Sequence, residues 1–277
     1  MVDYVGRFAP TPSGPLHMGS MVAAVASWLD AKAHGGKWLL RIDDLDAPRV
    51  AEGSVLSIQN TLETFGMDWD DIHFQSEHFD RYEWALDQLK ERGLTYGCQC
   101  TRKDLEGHEL YPGTCRDLAL KTQRTMRLLA TSQQIDWNDK GEGFLSFNLV
   151  DEVGDFVLRN AHGIPSYHLA NVVDDLDLNI THVVRGADLV HSTVAHCYLR
   201  SVFGGQPLVY HHVPLALDQQ GQKLSKQSMA PAVDEMKPEF VLQEVFDHLG
   251  IPHLEGTVGQ QLELAIKHWK DNLATQN

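Results

Sequence analysis

The sequence lacks long apolar runs. No hydrophobic stretch reaches the roughly 18 residues that a membrane-spanning helix requires, and we find no internal repeat or low-complexity segment. Hydrophobic residues make up 43% and charged residues 22% of the 277 residues, which is ordinary for a soluble globular protein. The chain begins with a strand-like segment and shows no signal peptide. We therefore expect a cytoplasmic protein with no membrane partner.

Basic residues are scarce relative to acidic ones. The chain has 23 Lys and Arg residues against 38 Asp and Glu residues, which gives a formal net charge of −15. Contacts to phosphate depend on Lys and Arg, so this balance excludes a generally basic nucleic-acid-binding surface. A nucleic acid partner would have to bind a local patch, and we expect such binding to be weak.

Cysteine is also scarce, and its distribution is uneven. Cys98, Cys100 and Cys115 lie close together in a segment with Gly and Pro, whereas Cys197 lies in a run that predicts a buried helix. In a reducing cytosol we do not expect disulfides. Three nearby thiolates instead predict a structural zinc site, with unliganded buried cysteines as the alternative. The fourth ligand stays open, and His108 is the generic candidate.

The first segment that indicates chemistry follows a turn rich in Pro and Gly, residues 10–15. The apolar spacing after it predicts a helix over 16–33, which places His17 and Gly19 at the helix N-terminus. Such a terminus favours phosphate, an imidazole there can donate to phosphate oxygens, and a glycine lets an adenine ring approach the backbone. Taken alone, a histidine at this position is more often a surface or capping residue.

The second segment carries Lys223 and Lys226 after the turn-like run 218–222. Two lysines on a mobile loop could close over a triphosphate, although a Lys-x-x-Lys pattern alone is usually a solvated face. The two segments occur in this order, roughly 200 residues apart, in a chain where strands and helices alternate. Together they predict a nucleoside triphosphate site suited to adenylyl transfer.

The alternation of strands and helices predicts an α/β protein with a Rossmann-like, doubly wound parallel sheet. Residues 146–159, which alternate around a Val-Gly-Asp turn, are expected to form a smaller mixed subdomain with the cysteine segment. The chain accordingly divides into a first half of the nucleotide-binding domain at 1–95, an inserted zinc-containing subdomain at 96–160, the second half with the lysine loop at 161–236 and a short helical C-terminal segment at 237–277.

The two motifs resemble the HIGH and KMSKS signatures of class I aminoacyl-tRNA synthetases. They read His17-Met-Gly-Ser20 and Lys223-Leu-Ser-Lys-Gln227 in this chain. Four further blocks are similar to the glutamyl-tRNA synthetase group and lie at residues 7–14, 41–46, 166–175 and 182–189. The resemblance therefore covers nearly the whole chain.

Length narrows the resemblance further. Only about 50 residues follow Lys226, too few for the large helical domain with which a discrete glutamyl-tRNA synthetase reads the anticodon. The chain is thus most similar to the glutamyl-Q tRNA(Asp) synthetase family, truncated paralogues that activate L-glutamate with ATP and attach it to queuosine in tRNA(Asp). Two alternatives remain. One is a truncated glutamyl-tRNA synthetase that charges a tRNA 3′ end, and the other is a catalytically silent paralogue that acts as a tRNA-binding or regulatory module.

The chemistry of glutamate calls for cationic forks and an acidic partner, and Arg7 and Arg185 lie in strand-like runs suited to supply the forks. The family usually has a glutamate that recognises the α-ammonium of the substrate, and this chain has Asp43 at that position. The resemblance implies a glutamate pocket of Arg7, Ala9, Thr11, Asp43, Tyr167, Asn171 and Arg185. It implies ATP binding by His17, Gly19 and Lys226 with Mg²⁺, and catalysis by His17, Lys223 and Lys226. For zinc it implies Cys98, Cys100, Tyr111 and Cys115.

Overall fold

The computed structural model of the protein describes residues 3–120, 123–215 and 232–275. Strands and helices alternate over residues 5–98 and 143–213 as the sequence predicts, whereas between them the described residues form successive strands without an α-helix. The strands are β1 Val5–Phe8, β2 Lys37–Ile42, β3 Asp71–Phe74, β4 Thr95–Cys98, β5 Thr125–Leu128, β6 Gln134–Asp139, β7 Gly143–Asn148, β8 Val157–Arg159, β9 His182–Gly186 and β10 Val209–Val213. The helices are α1 Met18–Ala33, α2 Ser54–Thr64, α3 Phe79–Glu91, α4 Leu149–Glu152, α5 Tyr167–Asp177, α6 Val190–Val202, α7 Pro238–His248 and α8 Val258–Thr275.

The central sheet is parallel and combines both halves of the chain. Strands β1, β2 and β3 pair in parallel, as do β9 and β10. Thr181 joins the two groups, because its backbone N–H donates to Val5 O at 2.9 Å and its Oγ1 accepts from Val5 N at 2.9 Å. The resulting order is β3-β2-β1-β9-β10, which confirms the predicted doubly wound fold. The order reverses between β1 and β9, and ligands of such sheets bind at that point.

Helix α1 is buried on nearly all sides because it lies between the sheet and the C-terminal helices. Its many alanines and valines allow this close packing, and it contacts β1, β2 and β9 on one side and α7 and α8 on the other. Asp30 at its end accepts from Tyr4 Oη at 2.6 Å and from Trp269 Nε1 of α8 at 2.9 Å. The predicted helical C-terminal segment therefore packs directly on the first half of the chain.

The segment between the two halves divides between two sheets. Strands β4, β5 and β8 form a small antiparallel sheet, whereas the β6–β7 hairpin extends the central sheet through the parallel pairing of Asp139 with Tyr210. Residues 146–159 do not form one hairpin, because α4 begins after Asn148, whose side chain caps it by accepting from Val150 N at 3.1 Å. Strands β7 and β8 thus belong to different sheets, and the domain boundaries stay a prediction.

Candidate active site

A cleft of about 700 Å³ opens at the point where the order of the central strands reverses. It is lined by β1 and β9, by the start of α1, and by α5. Every site residue predicted for this cleft within the described ranges lines it: Arg7, Ala9, Thr11, His17, Gly19, Asp43, Tyr167, Asn171 and Arg185. Lys223 and Lys226 lie outside the described residues.

The N-terminus of α1 forms one wall of this cleft. His17 is the N-cap residue, with an extended backbone, and its Nδ1 accepts from Ser20 N at 3.4 Å. The hydroxyl of Ser20 lies 3.3 Å from Nε2 of the same ring. The imidazole and Gly19 are therefore held at the positive end of the α1 dipole, as the sequence predicts, where backbone N–H groups suit an anion.

A buried cluster of opposite charges closes the floor of the cleft. Asp175 on α5 accepts from Arg7 Nε and Nη2 at 3.1 and 3.3 Å, and from Arg41 Nη1 at 2.7 Å. Asp43 Oδ1 accepts from Arg41 Nε at 2.7 Å. The carboxylate that is predicted to bind the ammonium of a ligand is therefore also hydrogen-bonded within the protein. Burial raises the pKa of Asp175, but the two guanidinium groups outweigh it and hold that pKa below its usual range.

Arg185 at the end of β9 has an unusual environment. It is 5% exposed, and all five of its N–H groups meet neutral acceptors. No carboxylate pairs with it among the described residues. A buried cation without a paired anion attracts an anionic ligand strongly. The acceptors are His212 Nε2 at 3.2 Å, His196 Nδ1 at 3.2 Å, Tyr167 Oη at 3.4 Å, Leu189 O at 3.2 Å and Thr193 Oγ1 at 2.7 Å.

Sequence reasoning missed the residues behind Arg185. Thr193, His196 and His212 are separated along the chain and match no motif that we analysed, and Asp139 belongs to the segment assigned to the insertion. One signal was available: the run His211-His212 in a strand pattern is unusual, because histidines are not common core residues. Their meeting at Arg185 depends on how β6, β10 and α6 pack.

The three cysteines of the insertion lie together. Their Sγ atoms are within 4.8 Å of one another, and Cys100 Sγ is 3.6 Å from Cys115 Sγ. The hydroxyl of Tyr111 lies 3.4 Å from Cys98 Sγ and 3.6 Å from Cys100 Sγ. Burial raises the pKa of Cys98, but hydrogen bonds with Tyr111 and Arg127 lower it to about 6. His108 is not part of the cluster.

The sequence is similar to known proteins over nearly its whole length. The family described as tRNA synthetases class I (E and Q), catalytic domain, matches residues 4–111 and 116–239. A glutamyl-Q tRNA(Asp) synthetase of Acinetobacter baylyi is 46% identical over 272 residues, covering 97% of this chain and 93% of the relative. One of Thiobacillus denitrificans is 46% identical over 279 residues, covering 96% and 93%.

Solved structures extend the comparison to the fold. A glutamate-tRNA synthetase from Elizabethkingia anophelis superposes with a TM-score of 0.78 at 26% identity, covering 94% of this chain. This chain spans 65% of that protein's length. Within the described ranges no helix combines the length and apolarity needed to cross a membrane. The chain therefore belongs to the class I tRNA synthetases of the glutamate and glutamine group, a family of ligases, and within it to the glutamyl-Q tRNA(Asp) synthetases.

Proposed function

We propose that this protein activates glutamate with ATP and transfers it to the queuosine base of tRNA(Asp). The names of its relatives, at 46% identity over nearly the whole chain, support this assignment. The single structural observation that carries it is Arg185, a buried cation at the cleft whose partners among the described residues are all neutral.

Arg185 suits a carboxylate of the amino acid. Its longest hydrogen bond, 3.4 Å to Tyr167 Oη, is the one that a ligand would most readily replace, and Tyr167 is 41% exposed. On the neighbouring strand β1, Arg7 uses Nε and Nη2 on Asp175, so that its Nη1 can serve a second carboxylate. Asp43 also lines the cleft and supplies the negative charge for the α-ammonium, with Ala9, Thr11 and Asn171 completing the pocket.

The triphosphate of ATP, which enters with Mg²⁺ as the substrate complex, binds at the N-terminus of α1. The α-carboxylate of glutamate attacks the α-phosphorus in line, and pyrophosphate leaves. His17 donates to phosphate oxygens as charge develops there, and Gly19 leaves room for the adenine. Lys223 and Lys226, outside the described residues, are assigned to the same charge stabilisation by the motif alone.

In the second step a hydroxyl of the queuosine cyclopentenediol attacks the carbonyl of glutamyl-adenylate and AMP leaves. The mixed anhydride is already activated, so positioning of the hydroxyl can supply most of the rate. We assign no general base among the described residues.

The cysteine cluster fits structural zinc. Tetrahedral zinc with Zn–S bonds of about 2.3 Å and a Zn–O bond of about 2.0 Å requires S···S distances near 3.8 Å and S···O distances near 3.5 Å. The distances of 3.6 Å between Cys100 and Cys115, and of 3.4 and 3.6 Å from Tyr111 Oη, match these values. We assign the fourth ligand to Tyr111 and a bracing role to the metal, because four protein ligands leave no open position.

The experiment is transfer of labelled glutamate, with ATP, to matched preparations of tRNA(Asp) carrying queuosine or guanosine at the wobble position. Label on the queuosine form alone is the expected result. Label on both forms would indicate charging of a 3′ end, and label on neither would overturn the acceptor. Glutamate-dependent exchange of pyrophosphate into ATP, measured in parallel, separates a wrong acceptor from a catalytically silent protein.

A further inference from the structure

The hydrogen bonds around Arg185 determine which ring nitrogen of His212 is protonated. A guanidinium only donates hydrogen bonds, so the contact between Arg185 Nε and His212 Nε2 at 3.2 Å requires an unprotonated Nε2. A neutral His212 then carries its proton on Nδ1, which lies 2.5 Å from Asp139 Oδ2. Both His212 and Asp139 have side chains with 0% exposure. The neutral imidazole therefore connects the buried carboxylate of Asp139 with the buried guanidinium of Arg185.

The orientation of Asp139 is fixed independently of His212's ring. Its Oδ1 accepts three backbone N–H groups: those of His212 at 3.0 Å, Gly141 at 3.0 Å and Glu142 at 3.2 Å. Gly141 is required for this turn, because a Cβ at that position would collide with the carbonyl oxygen of His212. The ring meets Oδ2, which also accepts from Trp137 Nε1 at 3.4 Å. The carboxylate therefore presents one defined acceptor to Nδ1.

A second histidine repeats the arrangement at Arg185 Nη1. His196 accepts there through Nδ1 at 3.2 Å, so its Nε2 donates to His168 Nδ1 at 3.3 Å. Burial, with the charge of Arg185 adding to it, lowers the pKa of His196. Arg185 is thus oriented by uncharged rings, and the nearest carboxylate of the network stands one imidazole away.

We propose that Asp139 and His212 are positioning residues for Arg185: Asp139 holds His212 in the Nδ1–H form, and the ring orients the guanidinium without neutralising it. A carboxylate bonded directly to Arg185 would compete with the carboxylate of the substrate for the guanidinium. A proton on His212 Nε2 would place an N–H group against the N–H group of Arg185 Nε. This inference rests on the proposed function, because it takes the anionic ligand of Arg185 to be a carboxylate of glutamate.

Asp139→Asn tests the proposal sharply. Three backbone donors keep the amide oxygen at the place of Oδ1, so the amide nitrogen faces His212 Nδ1 and donates to it. The ring must then move its proton to Nε2, against Arg185 Nε, as occurs when the aspartate of a Ser-His-Asp triad becomes asparagine. In pyrophosphate exchange we expect the KM for glutamate to rise about 10- to 100-fold, with the KM for ATP unchanged within about twofold.

Nitrogen-15 NMR of the histidine rings gives a readout that a merely structural role would not move. The wild type is expected to show His212 protonated on Nδ1, and the variant to show it on Nε2. Asp30→Asn is the matched control, since Asp30 is a buried acid bonded to Tyr4 and Trp269 and does not line the cleft. Its glutamate KM should equal that of the wild type.

Two substitutions at His212 decide the matter if Asp139→Asn does not fold. His212→Gln can still offer an acceptor near Nε2, whereas His212→Asn can replace Nδ1 but not reach Arg185; the glutamate KM should rise more in the second. Equal KM values in the two variants, a wild-type ring protonated on Nε2, or a shifted proton with unchanged glutamate KM would overturn the proposal. Absence of exchange in the wild type would overturn only the proposed function, because the ring measurement needs no glutamate.

Discussion

Arg41 Nη1 lies 2.7 Å from Asp175 Oδ1, and this ion pair joins two parts of the chain that are 134 residues apart. Arg41 is on β2 in the first half of the chain, and Asp175 is on α5 in the second half. Their side chains are 1% and 3% exposed. Because Arg7 binds the same carboxylate, the floor of the cleft and the association of the two halves depend on one buried charge cluster.

Arg41→Gln should destabilise the protein strongly. It leaves Asp43 and Asp175 with fewer compensating cations in a buried place, and removal of one member of a buried ion pair costs about 3–5 kcal/mol. Urea unfolding followed by circular dichroism measures this. Arg81→Gln is the control, because its pair with Asp177 is 38% and 36% exposed and should contribute under about 1 kcal/mol. Equal losses in the two variants would contradict the role of the cluster.

Arg185→Lys should raise the KM for glutamate about 100-fold in pyrophosphate exchange while leaving the KM for ATP nearly unchanged. Lysine keeps the charge but cannot span acceptors as far apart as His212, His196 and Thr193. Arg200→Lys is a matched control: that arginine is also buried, bonds backbone carbonyls at Gln206 and Ile180, and does not line the cleft. A glutamate KM unchanged in Arg185→Lys would refute the assigned role.

The cysteine cluster should bind one zinc ion per chain, measured by elemental analysis after purification. Cys100→Ser should lose the metal and lower the melting temperature, because a structural site contributes folding free energy directly. Tyr111→Phe should bind zinc more weakly, since only three ligands remain. His108→Ala should keep full occupancy. Loss of zinc in His108→Ala with retention in Tyr111→Phe would exchange the assignments.

Stability should fall on acidification, in part because of His168. Burial, with the charge of Arg185 adding to it, lowers the pKa of His168 from 6.5 to about 4 in the folded state. Between these values the unfolded chain binds more protons, so the contribution of His168 is lost as the pH falls from about 6.5 towards 4. Between pH 7 and 4.5 we expect the wild type to lose about 2 kcal/mol more than His168→Asn, which keeps an acceptor for His196.

Urea titrations at both pH values check this prediction. His162→Asn provides the control in the same segment, since His162 is exposed and should behave as the wild type does. An identical loss in the wild type and His168→Asn would show that the buried ring does not contribute.

Much of the central fold follows from local sequence. The predicted helix over 16–33 appears as α1 from Met18 to Ala33. Local pattern was less informative over residues 146–159, which were assigned with the cysteine segment to a smaller subdomain; that assignment stays a prediction. Because Leu149 and Leu158 are both buried in the same core while β7 and β8 pair with different partners, alternation alone could not reveal the break.

Local motifs were enough to name Arg7, His17, Asp43, Tyr167 and Arg185, because a strand end or helix start carries each of them to the reversal of the sheet. Their spacing also brought Cys98, Cys100 and Cys115 together as candidate zinc ligands, and the structure places their Sγ atoms within 4.8 Å of one another. The neutral acceptors around Arg185 and the contact of Asp139 with His212 behind it become visible only when the chain is folded. Those relationships depend on contacts between elements distant in the chain, and no local pattern of residues encodes them.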